Sequence, residues 1–488
     1  MNYTIYEIFK HIVEKNKNSP AIVENERILT FAELSNMVDM IAERFPTHTH
    51  SVGIVMHHCA EMIASIFAVL KIGAMYVPAE PTFPIGRIKY MMQEAKGNFV
   101  LTEMRYSRKL GNLEQIYCDC LSHVATQESE KRIYSQSPDD LAYVLYTSGT
   151  TGCPKGISVT NKNVCHYVRA FANEFHPKQG DIMLQYSVCS FDIFVEEVFA
   201  SMLNGAALAI PSDEDKKDIH SLMEFVERFN VTMLSGFPYL LAEMNHLPDI
   251  PSSLRLLISG GDVLRQRYVS NLVNQTEVYN TYGPSETTVC ASYYRCSNGQ
   301  VLENDTYPIG MAVLGTEIRI LDQDGNDVPY GEIGEICILG GGVSMGYIGE
   351  HYEENKAFVK LSNGSMMYRS GDLGYFLPDG NIVFMYRKDT QVMIYGKRVE
   401  IMEVESKLSQ CSGVEQAIVR AFTDEEGLSY MIAYIVPNNK EIKVSQIRRE
   451  LSENLTDFMI PEFIVKISAI PLNSNGKPDF TRMPIVMK

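Results

Sequence analysis

The sequence predicts an α/β protein built from more than one lobe, and three observations carry that expectation. Up to about residue 300, apolar runs of strand length alternate with segments of helical spacing, the pattern of helices packed on a sheet. Beyond that point the texture becomes short strands and turns. A second shift, near 386-YRKDTQ-391, opens a smaller α+β segment. With 488 residues, 45% of them hydrophobic, the chain exceeds what one ordinary core holds.

In chain order, MNYTIYEIFKHIVEKNK is amphipathic with charges of both signs, and lacks the basic head, apolar run and cleavage site of a signal peptide. Helical spacing marks 29-LTFAELSNMVDMIAERF-45 and 60-AEMIASIFAVLKIGA-74, with a strand at 52-VGIVM-56 between them. A buried strand is expected at 140-DLAYVLY-146. Further strands are expected at 182-IMLQYS-187, 207-ALAIP-211, 231-VTMLSG-236, 255-RLLISGG-261 and 277-EVYNTYG-283. Several end in Gly, Ser or Asn, where an open α/β sheet presents its ligand-binding loops. The β-rich part comprises 317-EIRILDQDGNDV-328 and 335-EICILGGG-342. In the last segment, 402-MEVESKLSQ-410 and a stretch from 444 read as helices, and 417-AIVRAF-422, 430-YMIAYIVP-437 and 463-FIVKISAI-470 as strands.

Composition excludes some functions. Lys and Arg number 43 against 60 for Asp and Glu, a net charge of −17 that argues against nucleic acid or an anionic membrane as partner. An acidic body suits a cationic small molecule. No apolar stretch approaches a bilayer span. The ten cysteines are scattered, and Cys118 with Cys120 lacks the companions of a zinc site. The expectation is a soluble, cytoplasmic protein with reduced thiols.

The most informative stretch is 146-YTSGTTGCPKG-156. Its glycines admit a ligand to the backbone, while Thr147, Ser148, Thr150, Thr151 and Lys155 donate hydrogen bonds. An ordinary strand-to-loop turn has the same composition. The nucleotide-kinase P-loop fails on spacing, because Pro154 rather than glycine precedes Lys155 and glycine follows it.

Together with later stretches in order, this loop resembles the ANL adenylating enzymes, which include acyl-CoA synthetases, luciferases and peptide-synthetase adenylation domains. Upstream, 29-LTFAEL-34 and 70-LKIGAMYVPAEPTFPIGRIKYMMQEA-95 match the adenylation-domain subgroup. Downstream come 191-FDIFVEEVF-199, 280-NTYGPSETTV-289, 331-GEIGEICILGGGVSMGYIG-349, 368-YRSGDLG-374, 387-RKDTQVMIYGKRVEIMEVE-405 and 473-NSNGKPD-479. The resemblance implies a large N-terminal domain (1–388) of two α/β subdomains plus a small β-barrel, hinged to a mobile α+β C-terminal domain (389–488). Its chemistry would be carboxylate plus ATP giving an acyl adenylate and pyrophosphate, then transfer to a thiol.

Carried over residue by residue, the resemblance makes Thr147, Ser148, Gly149, Thr150, Thr151, Gly152 and Lys155 the phosphate cradle, and Glu286 the ligand of Mg2+. It places Asn280, Thr281 and Tyr282 at the base, Asp372 on the ribose, Arg387 at a further nucleotide contact and Asp389 at the hinge. Lys477 would bridge carboxylate and nucleotide. Tyr386, Met393 and Cys153 depart from the family's pattern.

Asp192 matches the aspartate that binds an α-ammonium group, which implies an α-amino acid. The pocket positions become Asp192, Ile193, Glu196, Ser235, Ile258, Gly260, Gly261, Thr281, Val289, Cys290 and Lys477. An apolar tube with one acid suits an amine-tipped chain, since a carboxylate facing a pocket requires a cation; the set resembles lysine-selective pockets, with ornithine next. Glu196 on a solvated helix face, or Glu197 as the acid, are the alternatives. The acceptor thiol is expected on the phosphopantetheine of a separate carrier protein, 339-LGGGVSM-345 fitting the family's glycine-rich stretch better than a carrier's serine signature. Rival functions are an acyl-CoA synthetase or D-alanine–carrier protein ligase, and a non-catalytic adenylate or amino-acid sensor.

Overall fold

The computed structural model describes residues 3–46, 48–119, 137–148, 154–388, 391–424, 427–438, 442–471 and 482–484. By contacts the chain forms two units: Met1–Pro81, Met92–Leu145 and Gly156–Lys388 make the first, and Thr82–Met91, Tyr146–Lys155 and Asp389–Lys488 the second.

Local hydrogen bonding sets the early helix starts in the first unit. Thr4 with Glu7, Thr30 with Glu33 and Thr160 with Asn163 close capping boxes, and the helices Ile5–Lys15, Phe31–Ala42 and Asn161–Phe175 begin directly after them. Residues 29 and 30, expected inside a helix, instead belong to the short strand Ile28–Thr30, because the Thr30 cap ends the extended stretch.

Among the described residues the first unit contains three sheets. In the nine-stranded sheet, Ala207–Ala209, Ile182–Leu184, Met233–Gly236, Leu256–Ser259 and Glu277–Tyr282 lie side by side and parallel. Ser292–Arg295 then returns antiparallel to Glu277–Tyr282. The six-stranded sheet places Ser51–Val55 between Phe99–Thr102 and Met75–Pro78, all parallel. A five-stranded antiparallel sheet follows, built on Gly334–Gly340 and Met366–Phe376.

The main core reaches the site through stacked rings. Phe9 lies on Phe67 at 4.0 Å, and Phe67 meets Phe199 edge-on at 5.7 Å. Phe199 belongs to Glu196–Ala200, a wide π-type turn that continues the helix Asp192–Val195. Such wide turns concentrate at functional sites. Both Glu196 and Glu197 are buried within it.

In the second unit a tight hairpin joins Gln391–Ile394 to Lys397–Glu400, and the helix Ile401–Gln410 follows. Val414–Thr423, Ser429–Pro437 and Phe463–Lys466 form a three-stranded sheet. Its apolar face packs with Leu408, Ile447 and Leu451. No helix among the described residues is long and apolar enough to cross a membrane.

Candidate active site

The strand Glu277–Tyr282 ends at Gly283, where a Cβ would meet the Val289 carbonyl oxygen at 2.2 Å, so only glycine lets the chain double back here. The turn that follows holds Thr288 and Val289 at φ of 62° and 69°, backbone strain in two β-branched residues beside the expected base and substrate positions. Tyr282 donates to Asp372 Oδ2 at 2.6 Å, and Arg387 Nη1 donates to Asp372 Oδ1 at 2.5 Å. Burial, with the Asp372 carboxylate beside it, pushes the Tyr282 phenol well above its usual pKa. Asn280 is buried and spends its amide N–H on the Pro308 carbonyl at 2.8 Å. Glu286, fully buried, accepts from the Tyr347 hydroxyl.

In the second unit, Ser148 Oγ donates to the Arg398 carbonyl at 3.1 Å and accepts from the Glu400 N–H at 2.9 Å. Lys155 is buried with its ammonium 3.7 Å from Glu400 Oε1. The Thr147 hydroxyl is buried and has no hydrogen-bond partner among the described residues. Gly149, Thr150, Thr151, Gly152, Asp389 and Lys477 lie outside the described residues.

The expected substrate positions converge from several elements of the first unit. Register sets Ser235 beside Ile258, and Gly260 has its Cβ direction 2.7 Å from the Thr281 hydroxyl. Ile193 and Val289 are buried. Gly261 takes a left-handed φ of 81°. Asp192 stands at the start of its helix; burial lifts its carboxyl to about 6, the Ser285 hydroxyl opposes this and the Glu286 charge adds to it.

The two adjacent glutamates have different work. Glu197 is fully buried and spoken for: it accepts from Gln185 Nε2 at 3.0 Å and from the Ser187 N–H at 2.9 Å. Glu196 is 1% exposed, which overturns the solvated-face alternative. Burial lifts its carboxyl to about 7, against the hydroxyls of Ser235 and Tyr167, and Tyr167 donates to it. The Cys290 thiol, near Glu196 and Thr281, is pushed up by burial. Tyr167, Tyr293 and Tyr347 escaped the sequence reading. Tyr347 lay inside a quoted motif, 331–349, whereas Tyr167 and Tyr293 carry no local signal.

The family model for AMP-binding enzymes matches residues 9–348, and that for the AMP-binding enzyme C-terminal domain matches 403–477. Bacitracin synthase 2 of Bacillus licheniformis is 35% identical over 490 residues, covering 99% of this chain. The chain spans only 19% of that relative's length. Among solved structures, an artificially fused adenylation–PCP di-domain NRPS from Klebsiella oxytoca, NpsA-ThdA, superposes with a TM-score of 0.85 at 23% identity, over 95% of this chain and 94% of that one. The Vibrio cholerae adenylation domain AlmE, solved with glycyl-adenosine-5'-phosphate, gives 0.85 at 20% identity over 99% and 97%. At such identities these likenesses establish a shared fold.

Proposed function

The chain belongs to the AMP-binding enzyme family, and on that premise we propose that it activates an amine-tipped amino acid, L-lysine before ornithine, as the aminoacyl adenylate. The carboxylate of the amino acid attacks the α-phosphorus of ATP, forming a C–O–P mixed anhydride and expelling pyrophosphate. The aminoacyl group then passes to the phosphopantetheine thiol of a carrier protein acting in trans, with AMP leaving.

The single observation that carries the substrate choice is Glu196, a carboxylate shut away from water that meets hydroxyls and, among the described residues, no cation. A buried carboxylate of this kind is stable when neutral or when a cation arrives. The ammonium at the end of a lysine side chain supplies one, and Asp192 takes the α-ammonium. Methylenes lie along Ile193, Ile258 and Val289. Alanine or a fatty acid would leave Glu196 without a cation.

On the nucleotide side, Asp372 is the ribose acceptor, aimed by Tyr282 and Arg387. The buried Thr147 hydroxyl, without a partner among the described residues, and Ser148, Gly149, Thr150, Thr151, Gly152 and Lys155 are the phosphate donors. Asn280 and Thr281 border the base. Glu286, a buried hard-oxygen donor, fits Mg2+, which takes one or two carboxylates together with phosphate oxygens; Glu286 would hold that ion, which would offset phosphate charge. Lys477 supplies the cation between carboxylate and α-phosphate, where orientation and electrostatics dominate the barrier, and Asp389 is the hinge.

Pyrophosphate exchange across lysine, ornithine, β-lysine, arginine, alanine and a fatty acid tests this. Lysine is expected to lead, with ornithine second. Alanine or the fatty acid in first place would overturn the reading.

A further inference from the structure

The wall around Glu196 contains a second polar group in need of a partner. Tyr293 sits on the strand Ser292–Arg295 in register with Thr281. Its hydroxyl is buried and accepts no hydrogen bond among the described residues. Tyr167 lies within hydrogen-bonding reach of that hydroxyl, and the charges of Cys290, Glu196 and Glu174 bear on it. The ring is held by Phe175, 4.9 Å away, itself edge-on to Tyr279 at 4.9 Å. A phenol pinned in this way cannot swing out to water. Buried polar groups left unpaired are uncommon and point to a missing partner.

Tyr167 explains the rest of the arrangement. It lies on the helix Asn161–Phe175, buried, and spends its proton on Glu196. It therefore offers oxygen lone pairs towards Tyr293, whose own oxygen keeps its lone pairs for an incoming donor. Glu196 with the Ser235 hydroxyl bonded to it, and the Tyr293 oxygen reached from Glu196 through Tyr167, offer three acceptors from one buried wall. A primary ammonium carries three N–H donors.

We propose that Tyr293 accepts a hydrogen bond from the side-chain ammonium of the substrate and that Tyr167 is a positioning residue that aims Glu196 at the same group. This rests on the lysine reading given above and narrows it to unbranched primary amines. A guanidinium, planar with five donors, mismatches this corner, and a quaternary ammonium has no N–H to give. The Tyr76 and Tyr143 hydroxyls are also buried without partners among the described residues, but their rings pair with each other at 5.6 Å.

The test is pyrophosphate-exchange kinetics with lysine and with norleucine, which keeps the chain and loses the amine, on the wild type, Tyr293→Phe, Tyr167→Phe and the control Tyr76→Phe. Tyr293→Phe is expected to lower kcat/KM for lysine about tenfold, through KM, as a charge-assisted hydrogen bond is lost, while norleucine is unchanged. Tyr167→Phe is expected to move the acidic limb of the lysine KM profile to higher pH, because the carboxylate loses a donor. The other titratable groups around Glu196 are Asp192, Glu197, Cys290 and Tyr293. Tyr76→Phe is expected to leave the lysine-to-norleucine ratio alone. An unchanged ratio in Tyr293→Phe, or a parallel loss of both substrates, overturns the inference. Failure of the wild type to activate lysine overturns the reading beneath it, and norleucine turnover reports whether each variant is folded.

Discussion

Glu196 links burial and charge to the proposed selectivity. Its carboxyl stands at about 7 rather than near 4.5 because burial disfavours the ionised form. Pairing with an ammonium needs the ionised form, so the KM for lysine is expected to rise as pH falls through about 7, while that for leucine follows only the groups common to both substrates. Stability carries the opposite sign. An acid whose folded pKa lies above its unfolded value favours the folded state while protonated, and that contribution is lost as pH rises from about 4.5 towards about 7. Glu196→Gln is therefore expected to melt above the wild type at pH 8, by a margin that shrinks at pH 5, in ligand-free thermal scans. A wild-type advantage at pH 8 would contradict the assigned burial.

At the scale of elements, the wide turn Glu196–Ala200 depends on Phe199 filling the space against Phe67. Phe199→Ala is expected to cost about 3–5 kcal/mol, the usual range for emptying an aromatic site, and to raise the KM for lysine as the turn relaxes. Denaturant unfolding and exchange kinetics together would check this. These elements were unequally legible in the sequence. Strand and helix existence followed from period, and Thr30 with Glu33 marked a helix start that the wider apolar pattern of 29–45 obscured. The split between Glu196 and Glu197 was hidden, because every residue from Ile193 to Ala200 is buried and only the partners of each acid, distant in sequence, tell them apart. Tyr167 and Tyr293 meet Glu196 from distant elements, a helix and an antiparallel strand. Spacing along the chain does not encode that meeting.

For the whole molecule, the motif order from 146 to 479 identified the family ahead of any geometry. The assignment of 82–91 and 146–155 to the same unit as 389–488 had no such signal. It rests on contacts such as Arg87 to Glu403, buried at 3.3 Å, and Ser148 to Glu400, between positions far apart in the chain. In the proposed mechanism Lys477 acts only on the developing charge, so Lys477→Ala is expected to remove nearly all pyrophosphate exchange and leave the melting temperature within experimental error of the wild type. Full exchange by that variant would remove Lys477 from the mechanism.

The central claim is that a buried acid chooses the substrate by demanding a cation. It is tested most directly by the ratio of kcat/KM for lysine over leucine in pyrophosphate exchange, measured side by side for the wild type and Glu196→Ala. The account predicts a wild-type ratio well above one that collapses or inverts in the variant while ATP affinity holds. A ratio unmoved by the substitution would contradict it.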